Sequence, residues 1–350
     1  MHSGIHTTTN VKKLTMETSN IYNGQNVSLN GSTDVLVYID PTINSITNII
    51  SIICVIVAMV ALGCMMEISK IKTHMKNVKA PAIGIVAQFG IMPMTAFCFA
   101  KILQLEPIKA VCVLICGCAP GGTLSNVFVL AVNGDINLSI VMTSFSNTAA
   151  LGLMPLLLLI YCQGFPGLEK AVPYVKIITA LISTVVPCAV GIAINHYKPS
   201  FSPYISKFGI FFLMVSILSH FILTFMGFGN VIWTAFSSDI MIIATLMPLT
   251  GYVLGYVIAL ICRLDHKCGR TISMETGCQN MQLSMAILKV AFPPEVIGVM
   301  YIFPLIYTML QVSEALLLAL CIRCYQALKP AAKERKVYQS VHEKAEVIQQ

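Results

Sequence analysis

Nine apolar stretches, each long enough to cross a bilayer, dominate this chain of 350 residues: 44–66, 80–102, 110–132, 136–162, 174–195, 208–228, 239–262, 272–292 and 296–324. About 20 residues of helix are enough to span a hydrocarbon core, because each residue adds ~1.5 Å. Lipid supplies no hydrogen bonds, so a spanning backbone must satisfy its own, as a helix does. The recurrence predicts an all-α polytopic membrane protein of nine transmembrane helices, with loops too short to hold a separate soluble domain. Composition agrees: 56% of the residues are hydrophobic and 11% charged, and the mean hydropathy is +0.80.

Basic residues set the expected orientation, since they favour the cytoplasmic side. With the N-terminus outside, 15 of the 22 Lys and Arg fall inside and 7 outside. The net charge of +7 is then a topology signal and no argument for nucleic acid. Residues 1–43 lack the short apolar run and cleavage site of a secretory signal, so the first span is expected to do the targeting. The reading divides the chain into an extracellular segment (1–43), a transmembrane domain (44–325) and a cytoplasmic tail (326–350). Sequons at Asn26 and Asn30 lie in the exposed segment and are expected to carry glycans, whereas the triplet at Asn137 opens a span and is a chance match. Most of the 13 cysteines lie within spans and act as small apolar residues. Cys116 and Cys118 have no histidine near them in sequence, so no transition-metal site is expected.

Polarity at membrane depth carries the functional information. The third span is interrupted by the run Ala119 to Asn126, which holds Pro-Gly-Gly, and the eighth by Glu275 to Asn280 around Gly277. Backbone groups freed at such breaks must face protein or a cavity. The breaks are five spans apart, an odd number, so the two segments cross in opposite directions. Spans two to four and seven to nine then form inverted units, led by spans with internal prolines, Pro93 and Pro248. Paired interruptions of this kind point to the binding site of a secondary transporter.

Glu275 is the sharpest clue. A charge near the bilayer centre costs about 2.5–3.5 kcal/mol on insertion scales and needs compensation. The nearest base in its span, Lys289, lies about four helical turns away at ~5.4 Å per turn, so a bound cation is the simpler partner. Around the two breaks stand hard oxygen donors: Gln88, Ser125, Asn126, Ser139, Thr143, Thr276 and Gln279. Ser139 and Thr143, four apart, share a helix face. Such ligands suit a hard monovalent cation such as sodium. Glu314 in the ninth span is a second acid, open to a proton path, a substrate path or contact with water. No nucleophile stands beside a base, so the chain is not read as an enzyme.

The runs Leu62-Gly63-Cys64-Met65-Met66-Glu67, Val86 to Pro93, Gly117 to Gly122, Asn137 to Thr143 and Met274-Glu275-Thr276-Gly277-Cys278-Gln279-Asn280, in this order and spacing, give a chain that resembles the sodium/bile acid cotransporter family. The likeness implies a core domain of two inverted units (80–162 and 239–324) whose broken helices cross, and a panel domain of the first, fifth and sixth spans (44–66, 174–195 and 208–228). It implies two sodium sites: Ser125, Asn126, Ser139, Thr143 and Glu275 match the first, and Gln88, Glu275 and Gln279, with backbone near Thr276 and Cys278, match the second. Sodium would be a co-substrate, with no cofactor besides. The implied substrate is a bile salt or related steroid conjugate in a crevice between core and panel, on a pathway that includes Asn280, Met285 and Ala286. Where the family pattern implies Ser-Thr this chain has Met285 and Ala286, and Phe145 stands where a small residue is implied, so a sulfated steroid or a narrower bile salt range is open.

The resulting expectation is a multi-pass symporter of the plasma membrane, in contact with lipid and not with nucleic acid, with homo-oligomerisation left open. The tail run Tyr338-Gln339-Ser340-Val341 fits a tyrosine-based sorting signal. Two other readings stand beside this one. A non-transporting receptor for steroid-like ligands would show no sodium-driven accumulation, and a proton-coupled organic anion transporter would follow a pH gradient without sodium.

Overall fold

The computed structural model describes residues 41–66, 78–166, 172–228, 236–292 and 302–348. Asn26 and Asn30 lie outside them. The described elements are α1 (Pro41–Met65), α2 (Lys79–Ile102), α3 (Pro107–Gly117), α4 (Thr123–Ala131), α5 (Ile136–Cys162), α6 (Tyr174–Tyr197), α7 (Ser202–Phe228), α8 (Ser238–Ile261), α9 (His266–Gly277), α10 (Met281–Ala291) and α11 (Phe303–Ile348). Six of them, α2, α5, α6, α7, α8 and α11, contain stretches long and apolar enough to cross a membrane. The chain is thus an all-helical, multi-pass membrane protein across the described residues. The run Tyr338 to Val341 falls within α11.

Helix ends follow local chemistry. Asp135 caps α5 by accepting from the amides of Asn137 (3.0 Å) and Leu138 (3.2 Å), Asp265 caps α9 through Cys268 N, and Asn280 caps α10 through Leu283 N. Pro107 occupies the first position of α3, where its missing N–H costs nothing. Gln104, Asn133 and Arg263, just past α2, α4 and α8, have φ of 49°, 55° and 57°. Each is followed by an amide that reaches back to a carbonyl of the last turn: Leu105 to Ala100, Gly134 to Val129 and Leu264 to Ala259. These are left-handed helix stops built without glycine. Within α2, residues Ala87–Ile91 widen into a π-turn that carries Gln88, a device common at functional sites.

Packing distinguishes two sets of helices. α1 lies against α6 and α7, while α8 lies against α9 and α11. α3 is buried from Ala110 to Gly117 and α9 from Thr271 to Gly277, without exception. Helices buried all round sit inside a bundle. By contrast Val175 and Val186 of α6 and Phe211 of α7 stand well exposed, as lipid-facing side chains do.

The third and eighth apolar stretches each form a pair of half-helices, α3–α4 and α9–α10. Their breaks meet: Gly122 N donates to Cys278 O (3.0 Å), Asn280 N donates to Pro120 O (2.9 Å), and Gly121 and Gln279 form an antiparallel bridge. Each break therefore hydrogen-bonds the other, answering the demand that unpaired backbone makes at membrane depth.

Candidate functional site

The crossing of the two breaks is lined by side chains from α2, α4, α5, α9 and α11. Glu275, in the last turn of α9, is 2% exposed. Its Oε1 lies 2.7 Å from Ser125 Oγ of α4, 2.9 Å from Thr143 Oγ1 of α5, and within hydrogen-bond reach of Ser139 Oγ. Its Oε2 lies 2.9 Å from Thr143 Oγ1. Asn126 joins through Oδ1, 2.7 Å from Ser139 Oγ. The helical spacing of Ser139 and Thr143 puts both hydroxyls over the same carboxylate.

A hydroxyl carries one proton to donate. Here Ser125 Oγ is also 2.7 Å from Gly122 O, and Thr143 Oγ1 is 3.0 Å from Ser139 O. Gly122 O also accepts from Ser125 N (3.1 Å) and Ser139 O lies within α5, where the helix amides serve it, so the three hydroxyl protons are shared among Asn126 Oδ1 and the two carboxylate oxygens. These donors are neutral and Glu275 takes part in no ion pair among the described residues, so its buried charge creates a strong negative potential that a cation relieves.

A second polar group adjoins the first. Gln88, on the π-turn, donates from Nε2 to Ala119 O and to Gln279 Oε1, both at 2.9 Å. Gln279 Nε2 donates to Thr276 O (3.1 Å). Among the described residues the Thr276 hydroxyl is buried without a partner, as is Nδ2 of Asn280. Cys278 contributes its carbonyl to the bridge between breaks, and its Sγ lies 3.2 Å from Tyr252 OH.

Ser125, Asn126, Ser139, Thr143 and Glu275 therefore form one cluster, and Gln88, Thr276, Cys278 and Gln279 another. Among the described residues the Glu275 carboxylate bonds to the first cluster alone. Asn280 stands at the junction. Met285 and Ala286 lie further along α10: Met285 borders a small space with Cys54, Ile217 and His220, and Ala286 packs on Val55, Met59 and Leu62 of α1.

Three residues that the sequence reading passed over hold the site in place. Gln311 of α11 accepts from Gln279 N (3.1 Å) and donates to Gln279 O (3.3 Å). Tyr252 of α8 donates to Gln311 O (2.8 Å). Ser146 Oγ accepts from Gly121 N (3.2 Å). Ser146 was recoverable, being three residues past Thr143 on the same face. Gln311 was visible as an amide in an apolar span, but its partner is backbone on another helix.

Comparison with known proteins gives the family. The profile of the family described as "Sodium Bile acid symporter family" matches residues 52–234. The chain is 44% identical over 292 residues to the hepatic sodium/bile acid cotransporter of Rattus norvegicus, covering 83% of this chain and 81% of that protein. It is 46% identical over 283 residues to the Homo sapiens protein of the same name, covering 80% and 81%. The sodium-dependent organic anion transporter of Homo sapiens is 36% identical over 282 residues, covering 79% and 72%. A profile match over half of the sequence, with relatives this similar along most of their length, establishes that the chain belongs to the sodium bile acid symporter family.

Proposed function

We propose that this protein is a sodium-coupled symporter of bile salts or related steroid anions, a transporter and not an enzyme. The observation that carries the reading is the buried Glu275 carboxylate, ringed by neutral hydroxyls and with no ion pair among the described residues, at the crossing of two broken helices. Ser125, Asn126, Ser139, Thr143 and Glu275 would hold one sodium ion. Gln88 and Gln279, with Glu275 and the backbone of Thr276 and Cys278, would hold a second after a rotamer change that releases the Gln88–Gln279 hydrogen bond. The relatives' names supply the substrate class; Met285 and Ala286 lie toward α1, where a pathway between moving parts would run, and Asn280 would meet it at the crossing. No cofactor is needed beyond sodium as co-substrate.

The finer architecture belongs to the same proposal. The six long helices, α1 and the two broken pairs sum to nine spans. α2 and α8 have 24 residues each, contain Pro93 and Pro248, stop on a left-handed residue and lead into a half-helix. That correspondence supports an inverted repeat of α2–α5 and α8–α11 as the core, with α1, α6 and α7 as the panel. Sodium at the crossing would favour the conformation that binds substrate, which is how differential affinity shifts a population. The N-terminus would lie outside the plasma membrane, with glycans on Asn26 and Asn30, and the tail inside. Glycosidase shifts of Asn26→Gln and Asn30→Gln, and protease access to the tail in sealed vesicles, test that orientation.

The direct test is uptake of labelled taurocholate into expressing cells, in sodium and in choline buffer. Sodium-dependent uptake by wild type, lost in Glu275→Gln at equal surface abundance, is the expected result. Absence of uptake from well-expressed wild type would sink the substrate assignment and favour the receptor reading. A proton-coupled alternative draws on Glu314, whose two carboxylate oxygens are buried without a partner among the described residues; uptake that follows a pH gradient in choline would establish it.

A further inference from the structure

A cavity of about 610 Å³ lies between α8, α9 and α11, with Tyr252 and Met274 separating it from the helix crossing. Its volume falls in the ~300–1,000 Å³ range of small-ligand sites. The long wall is apolar, built from Val253, Val257, Leu318 and Ile322. Val253 and Tyr325 stand 51% and 66% exposed on spanning helices, so the cavity opens sideways into lipid.

One end is basic. Arg270 borders the cavity, and its Nη2 donates to Asn133 O (2.8 Å). Arg270 takes part in no ion pair among the described residues. A guanidinium is always charged and presents five donors. Arg323 caps the neighbouring carbonyls of Leu130 and Ala131, which puts a second guanidinium at the same end. His266 and Tyr256 stack there at 6.3 Å between ring centres, an aromatic pair of the kind that settles at headgroup depth.

An apolar slot open to lipid, ending in an unneutralised arginine, has the shape and charge of a phospholipid with a negative headgroup. We infer that this cavity binds one anionic phospholipid, its phosphate on Arg270 and one acyl chain along Val253, Val257, Leu318 and Ile322. Basic pockets between spanning helices recognise headgroups in this way. Only the identity of the leaflet, the cytoplasmic one, rests on the orientation proposed above.

Native mass spectrometry of the full-length protein in detergent micelles tests the site with chain-matched phosphatidylserine and phosphatidylcholine, and with inorganic phosphate and taurocholate as competitors. Micelles have no sides, so the result does not depend on orientation. Wild type is expected to retain phosphatidylserine over phosphatidylcholine. Arg270→Ala should reduce that preference about tenfold, equivalent to ~1.4 kcal/mol. Val257→Trp keeps the arginine but fills the slot, and should lower retention of either lipid, so the test survives a folding defect in the first variant. Equal retention of the two lipids by wild type, or retention unchanged in Val257→Trp, would overturn the inference. Displacement by taurocholate would replace the lipid with a steroid anion, and displacement by phosphate would leave a simple anion site.

Discussion

Gly121 turns its α-carbon toward Glu275, and a Cβ built there would lie 2.9 Å from Oε2 and 3.4 Å from Ser146 Oγ. The carboxylate cannot swing aside at low cost, because Ser125, Ser139 and Thr143 hold it from other sides. Gly121→Ala is therefore expected to cut sodium-dependent uptake by at least about tenfold, a loss of ~1.4 kcal/mol in the coupled step, at unchanged surface abundance. Gly90→Ala is the matched control, since a Cβ there meets nothing within 4 Å, and its uptake should equal wild type. Most of the residues at this scale were legible in sequence, because a carboxylate and hydroxyls inside an apolar run are costly enough to stand out. Gln311 and Tyr252 were not. Their importance comes from bonds to backbone on other helices, and no spacing along one helix encodes those.

Glycine also sets how closely whole elements approach. A Cβ on Gly63 of α1 would lie 2.2 Å from Cys188 O of α6, and one on Gly191 of α6 would lie 2.2 Å from Val60 O. The two backbones touch there, the arrangement that small residues permit between membrane helices. Gly63→Ala must push α1 and α6 apart and is expected to destabilise the protein by about 1–3 kcal/mol, the usual range for overpacking, read as a lower midpoint in thermal unfolding of purified protein. Gly152→Ala, on an open face of α5 with nothing within 4 Å of the new Cβ, should be neutral or raise the midpoint, because alanine is the better helix former. Helix positions were readable from apolar length, and the breaks from Pro-Gly-Gly and from the polar run at Glu275. The π-turn at Gln88 was only half legible: Pro93 withholds the N–H that would bond Phe89 O, but a proline does not say whether the helix widens or kinks. Nor could the pairing of Gly121 with Gln279 be read, because a two-residue antiparallel bridge leaves no periodicity in either strand of sequence.

At the scale of the molecule, the crossing joins α2, α4 and α5 to α9 and α11, so a cation there would tie together segments distant in sequence. A ligand that binds the folded state alone stabilises it by RT ln(1 + [L]/Kd), about 2.7 kcal/mol at a hundredfold excess over Kd. Purified wild type should therefore melt higher in sodium chloride than in choline chloride of equal ionic strength. Glu275→Gln should abolish the difference. The uncompensated buried charge adds a prediction of sign that loss of function alone does not. Without a cation, wild type buries an ionised carboxylate that meets only neutral donors, and a buried charge without an opposite one is costly. Glutamine removes the charge and brings two N–H donors of its own, so in choline Glu275→Gln should melt at or above wild type while transporting nothing. A variant that melts well below wild type in both salts would mean that Glu275 holds the fold together without a cation, and would remove the physical basis for placing sodium at the crossing.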